Sequence, residues 1–235
     1  MRILIIDQCS GSKDVPENAP IFDAENTDEY GREGLLARDD VPAIPAHKLY
    51  TGRQQGYVDS AVDRLRANGD TVDRVYISAG FGLVSERTEL PPYEVTFNDM
   101  VAASIDERAA SLGIPTAVQD LVQGHPPYDV VFFALGKDYY RACDIDATIE
   151  ALPEETLGVV FNREALAEGR SNVVSLPART AEAKEHGTIV VALKGRYIEY
   201  FADHRATGAS VDGASDLVEY CTTAATTQTG LGEYD

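Results

Sequence analysis

The sequence predicts an α/β fold in three layers: a mostly parallel central sheet with helices on both faces. Short apolar runs ended by turn residues alternate with segments of helical periodicity, which is the pattern of strands buried on both faces and covered by crossover helices. The first run, Ile3-Leu4-Ile5-Ile6, stops at a small polar loop, Gln8 to Lys13. Val72 to Ser78 and Tyr128 to Leu135 repeat the arrangement, each broken by glycine. Within 235 residues that are 44% hydrophobic, one large domain is expected over 1–205, followed by a C-terminal extension over 206–235 holding one short helix and a frayed tail.

In chain order, Ile3 to Ile6 reads as a central strand. Residues 14–45 are rich in Asp, Glu, Pro and Gly without sustained periodicity, so they read as a long acidic surface excursion or lid. Val58, Ala61, Val62 and Leu65 recur at i, i+3, i+4, i+7 and mark a helix over 52–67 that ends at Asn68-Gly69. Val72 to Ser78 is a strand, broken by Ala79-Gly80-Phe81-Gly82. Helices are expected near 104–112 and 115–123. Tyr128 to Leu135 is the clearest strand, and Gly136-Lys137 opens a helix that runs through Ala142 and Ile145. Leu157 to Phe161, Val173 to Leu176 and Thr188 to Leu193 read as short strands, and a helix with an aromatic face follows from Tyr197 to Arg205.

The net charge of −19 argues against a simple phosphate-binding surface. The acids are spread over the whole chain and only five of the 20 basic residues are lysine, which resembles a halophilic protein whose acidic surface faces concentrated salt. The positions of the few cations are then the better clue to partners. Cys9, Cys143 and Cys221 form no C-x-x-C pair, and the four histidines show no metal-binding spacing, so no metal site and no cofactor are expected. No apolar run approaches the length of a membrane span. Met1-Arg2 leads straight into a strand without a leader pattern, so a cytoplasmic protein with no membrane partner is expected.

Chemistry concentrates at three strand ends. Cys9, Ser10, Gly11, Ser12 and Lys13 offer a possible nucleophile, two hydroxyls, an approachable backbone and a cation that favours the thiolate. Ser78, Gly80 and Gly82 follow the second strand, and Lys137 follows the third. In a parallel sheet these loops share one edge, where glycines and lysines suit an anion. His47 is a candidate general base if it lies near Cys9. Tyr50 and Arg53 suit stacking and charge pairing with a nucleotide. Tyr93, after two prolines, is a candidate for the pocket wall. Each also has a plain structural role open to it: cysteine as a small core residue, serine as a turn cap, tyrosine as packing.

Four segments carry a family resemblance: Cys9-Ser10-Gly11-Ser12-Lys13, Pro45-Ala46-His47-Lys48-Leu49-Tyr50, Ser78-Ala79-Gly80-Phe81-Gly82-Leu83 and Pro92-Tyr93. Together they resemble the YaaA-like group, including a related domain family with a C-S-x-x-K start. The resemblance covers roughly residues 1–100, and Lys194-Gly195-Arg196 is similar to the group's C-terminal element. It implies a nucleic-acid or nucleotide-derived partner, as a base- or nucleotide-modifying enzyme or a DNA-binding stress-protection protein. A small-nucleotide or metabolite hydrolase is a third expectation. The Cys9 and Lys13 spacing is also similar to the C-x-x-x-K part of the archaeosine synthase motif, although Asp14-Val15 stands where that motif has Pro-Tyr. In the enzymatic reading, Cys9 is the nucleophile or acid and Lys13 the stabilising cation.

Overall fold

The computed structural model describes residues 1–225. The elements in order are β1 (Arg2–Gln8), α1 (Ala24–Leu36), β2 (Ile44–Pro45), α2 (Ala46–Leu49), α3 (Arg53–Ala67), β3 (Thr71–Ser78), β4 (Gly82–Ser85), β5 (Glu89–Leu90), α4 (Ala102–Ser111), α5 (Ile114–Val122), β6 (Val130–Ala134) and α6 (Lys137–Ala142). There follow α7 (Ile145–Glu150), β7 (Leu157–Phe161), α8 (Glu164–Ala167), β8 (Val173–Leu176), α9 (Thr180–Glu185), α10 (Val190–Ala206) and α11 (Ala214–Thr222). The main sheet has the order β4-β3-β1-β6-β7-β8, parallel except for the edge strand β4, which turns back antiparallel on β3.

Alternation along β1 divides the core. Leu4 and Ile6 pack with residues of α1, α2 and α4 to α7, whereas Ile3 and Ile5 pack against α3, α10 and α11. The helix α3 buries Val58, Ala61, Val62 and Leu65 as their spacing requires, and the chain leaves it through Gly69 at φ 89°. It meets α10 at Gly195, where a Cβ would stand 2.6 Å from the Gln54 carbonyl oxygen. Only glycine permits that approach.

The strand order creates a switch point. From β1 the chain passes through α3 to β3 on one side, while β6 lies on the other side and leads into α6 on the opposite face. The carboxyl ends of β1 and β6 therefore flank a crevice of the kind where open α/β sheets bind ligands. The Gln8 side chain spans it, its Oε1 accepting from the Gly136 N–H at 2.5 Å.

Several expectations are corrected. The segment 14–45 is more than a surface loop: it contains α1 and buries Phe22, Leu35 and Val41. The helical period was hidden because Gly31, at φ 60° and ψ 178°, kinks α1 and breaks any continuous apolar stripe. Phe22 bridges Tyr93, Arg108 of α4 reaches Thr27 and Asp28, and Ile44 pairs with Leu90, so both halves of the excursion are tied down. The expected strand over Thr188 to Leu193 is instead the entry to α10. Its β-branched residues favour a strand locally, but close packing of α10 on α3 overrides that preference. Ile145 belongs to α7, because Asp144 breaks the chain in the left-handed region and caps the new helix. The C-terminal extension holds α11, and the expected frayed tail at 226–235 lies outside the described residues. Among the described residues no helix is long and apolar enough to cross a membrane.

Candidate functional site at the carboxyl edge of the sheet

The four resembling segments, far apart in sequence, meet at one place. The loop after β1 is pinned to the segment after α2: Lys13 bridges Tyr50, the Asp14 N–H donates to the Leu49 carbonyl, and the Thr51 N–H donates to the Ser12 carbonyl. The Cys9 N–H donates to the Ile77 carbonyl at 3.0 Å, holding the loop against β3. Cys9, Tyr50, Ser78 and Tyr93 are buried together there.

A hydroxyl network forms the floor. Ser78 Oγ accepts from the backbone N–H groups of Gly80 (3.2 Å) and Phe81 (3.0 Å). With both lone pairs engaged, its own proton points to the tyrosine pair, where Tyr93 OH lies 2.8 Å away and 2.6 Å from Tyr50 OH. Gly80 is required by packing, since a Cβ would stand 2.8 Å from the Tyr93 ring. Gly82 holds φ 76°, a conformation that favours glycine. Ser78 and Gly80 thus build the tyrosine support, and Gly82 makes the turn into β4.

Cys9 Sγ lies 2.9 Å from Tyr139 OH, which also lies 3.2 Å from Thr96 Oγ1. Burial, and then the proximity of Cys9, pushes the hydroxyls of Tyr50, Tyr93 and Tyr139 well above the ordinary tyrosine value. All three stay protonated at neutral pH, so Tyr139 can donate to a thiolate at Cys9. The Lys13 side chain is only 4% exposed, and its Nζ has no hydrogen-bond partner among the described residues. It sits 4.8 Å from the Tyr93 ring centroid and 4.0 Å from a Glu94 carboxylate oxygen, beyond hydrogen-bond reach.

The remaining expected residues fall on the rim or elsewhere. Gly11, Ser12 and Arg53 are exposed, and Ser10 Oγ is taken by the Ser12 N–H. Lys137 is exposed at the start of α6. His47 does not join Cys9. Its Nδ1 bonds the Glu86 carbonyl oxygen at 2.7 Å, and it lines a separate hollow with Asp59, Arg66 and Arg74. The short helix α2 turns His47 toward the chain after β4 and passes Tyr50 to the Cys9 loop.

Beneath the crevice lies a charged centre that the sequence reading did not assign. Asp7 is fully buried at the end of β1, bonded to Arg74 at 2.9 Å and to Gln54 Nε2 at 2.6 Å. Lys194 of α10 is nine-tenths buried, and burial, partly opposed by Asp7, pushes its pKa down to about 8. An aspartate closing an otherwise apolar strand was the available signal for this centre.

Among the described residues no cluster of His, Cys, Asp and Glu could hold a metal ion. No protein-family model matches the chain, and a comparison with curated proteins finds no match.

Proposed function

We propose that the protein binds a nucleotide-derived ligand at the carboxyl edge between β1 and β6, as the resemblance to the YaaA-like group implies, and modifies its base or nucleotide moiety, as the archaeosine-synthase-like spacing of Cys9 and Lys13 suggests. The observation that carries this reading is the Lys13 ammonium. Its Nζ is buried with a Glu94 carboxylate oxygen 4.0 Å away and without a hydrogen-bond partner among the described residues, and a ligand acceptor beside Tyr93 would supply that bond. Cys9 acts as nucleophile or acid, with Tyr139 as the donor to its thiolate. The tyrosine and serine floor is rigid, so Cys9 and Lys13 are held in place before the ligand arrives.

Recognition of a nucleic-acid polymer through a basic surface is less well supported. Twelve of the fifteen arginines pair with carboxylates, which leaves Arg53, Arg163 and Arg170 unpaired among the described residues. The test is mass spectrometry of small molecules that copurify with the full chain, followed by calorimetric titration with nucleosides and nucleoside 5′-monophosphates. The expected result is binding that Lys13→Ala weakens at least tenfold, with Cys9→Ser removing turnover but not affinity. Equal affinity in Lys13→Ala, or unchanged turnover in Cys9→Ser, overturns these roles.

A further inference from the structure

A second cluster of cations lies across the switch point from Cys9. A hollow of about 260 Å³ opens where β6 and β7 end, and the first turns of α10 cover it. Lys137, Arg163 and Lys194 line it together with Asn162 and Tyr140, and among the described residues no carboxylate does. Such a lining stands out in a chain with 39 acidic residues against 20 basic ones. None of the three cations has a salt-bridge partner among the described residues, whereas most arginines do. Arg163 Nε is buried without a hydrogen-bond partner among the described residues, and Lys194 is 9% exposed.

The walls are fixed by their own bonds. Asn162 adopts φ 54° at the end of β7, its Nδ2 donating to the Ala178 carbonyl and its Oδ1 accepting from the Ala178 N–H. The Arg163 N–H donates to Ser175 Oγ, and the guanidinium lies 5.0 Å from the Tyr140 ring centroid. Tyr140 OH in turn donates to the Phe133 carbonyl and accepts from the Phe161 N–H. Three converging cations on a rigid frame match an anion with several acceptor oxygens. Val190 and Val191, 40% and 67% exposed, form an apolar lip on the same hollow, which suits an ester carrying an organic group. The neighbouring hollow of about 860 Å³ shares Lys137, Tyr140 and Arg163 but is also lined by Asp106, Asp138, Asp144 and Asp146, which repel an anion.

We infer that Lys137, Arg163 and Lys194 form a phosphoryl-binding subsite, so that the ligand taken at this edge is a phosphomonoester rather than a free base or nucleoside. The identity of the organic part as a nucleotide rests on the function proposed above; the phosphoryl subsite itself does not.

The experiment is calorimetric titration of the full chain with inorganic phosphate, then with nucleoside 5′-monophosphates and the matching nucleosides at constant ionic strength. Lys137→Ala, Arg163→Gln and Lys194→Met are compared with the wild type, and Lys137→Ala changes an exposed side chain that the fold does not need. Phosphate is expected to bind the wild type, with at least a tenfold loss in Arg163→Gln and Lys194→Met and a severalfold loss in Lys137→Ala. Tighter binding of monophosphates than of phosphate, with that gain lost in Lys13→Ala, supports both readings. Phosphate binding that depends on the three cations without any gain from a nucleoside moiety keeps the subsite and overturns the nucleotide reading. No phosphate binding, or affinity unchanged in all three variants, overturns the subsite.

Discussion

Replacing Lys194 by methionine removes a charge that burial in the fold disfavours. The folded pKa of about 8 lies below the ordinary 10.5 because burial disfavours the ammonium, with Asp7 opposing that effect. Lys137 and Arg163 share its hollow and add further positive charge. At about 1.36 kcal/mol per pH unit, the gap corresponds to roughly 3 kcal/mol held against folding while the lysine is charged. Between pH 8 and 10.5 the unfolded chain binds more protons at this group than the folded one does, so stability contributed by Lys194 rises with pH across that window and is flat below it. Lys194→Met abolishes the dependence, and Asp7 keeps Arg74 and Gln54 as partners. The variant should be more stable than the wild type by up to about 3 kcal/mol at pH 7, an advantage that shrinks by roughly 2 kcal/mol at pH 9.5. The assay is urea unfolding followed by circular dichroism, since the chain has no tryptophan, at matched salt from pH 7 to 9.5. Taking the difference between the two profiles cancels the cysteines and tyrosines that titrate in both. A variant less stable than the wild type at pH 7, or a difference independent of pH, refutes the reasoning.

Other perturbations test the frame of the site. Asp7→Ala leaves Arg74 buried with only Asp59 as a carboxylate partner, and a loss of about 3–5 kcal/mol is expected in denaturant unfolding. A loss below 1 kcal/mol would show that water reaches Arg74. Gly80→Ala drives a methyl into the Tyr93 ring and should cost about 1–3 kcal/mol, whereas alanine at Gly11, where a Cβ meets nothing within 4 Å, should leave the unfolding midpoint unchanged. Ser78→Ala strips the acceptor from two amides and should lower stability by roughly 1–3 kcal/mol; if hydrogen exchange at Gly80 and Phe81 does not accelerate, the proposed bonds are absent.

Much of the fold was legible because its strands are buried on both faces. Ile3 to Ile6, Val75 to Ile77 and Val130 to Leu135 are short apolar runs ended by glycine or polar turns, and β1, β3 and β6 lie where those runs stand. The period in Val58, Ala61, Val62 and Leu65 was legible for the same reason: α3 presents one uninterrupted face to the core. Where the helical face is broken at Gly31, or where β-branched residues open α10, local pattern and tertiary packing disagree and packing prevails.

For the candidate site, the sequence by itself determined where the strands end: Cys9 to Lys13, Ser78 to Gly82 and Gly136-Lys137 each follow a strand. Only the tertiary structure decided which side chains meet. It set Lys13 against Tyr93 and Cys9 against Tyr139, turned His47 away to Glu86, and brought Arg163 and Lys194 to the hollow beside Lys137. Strand ends are written in local hydrophobic pattern, which is a property of neighbouring residues. The meeting of these elements depends on strand order and on the close contact at Gly195: β1 pairs with β6, and α3 meets α10, across more than a hundred positions that no local pattern spans.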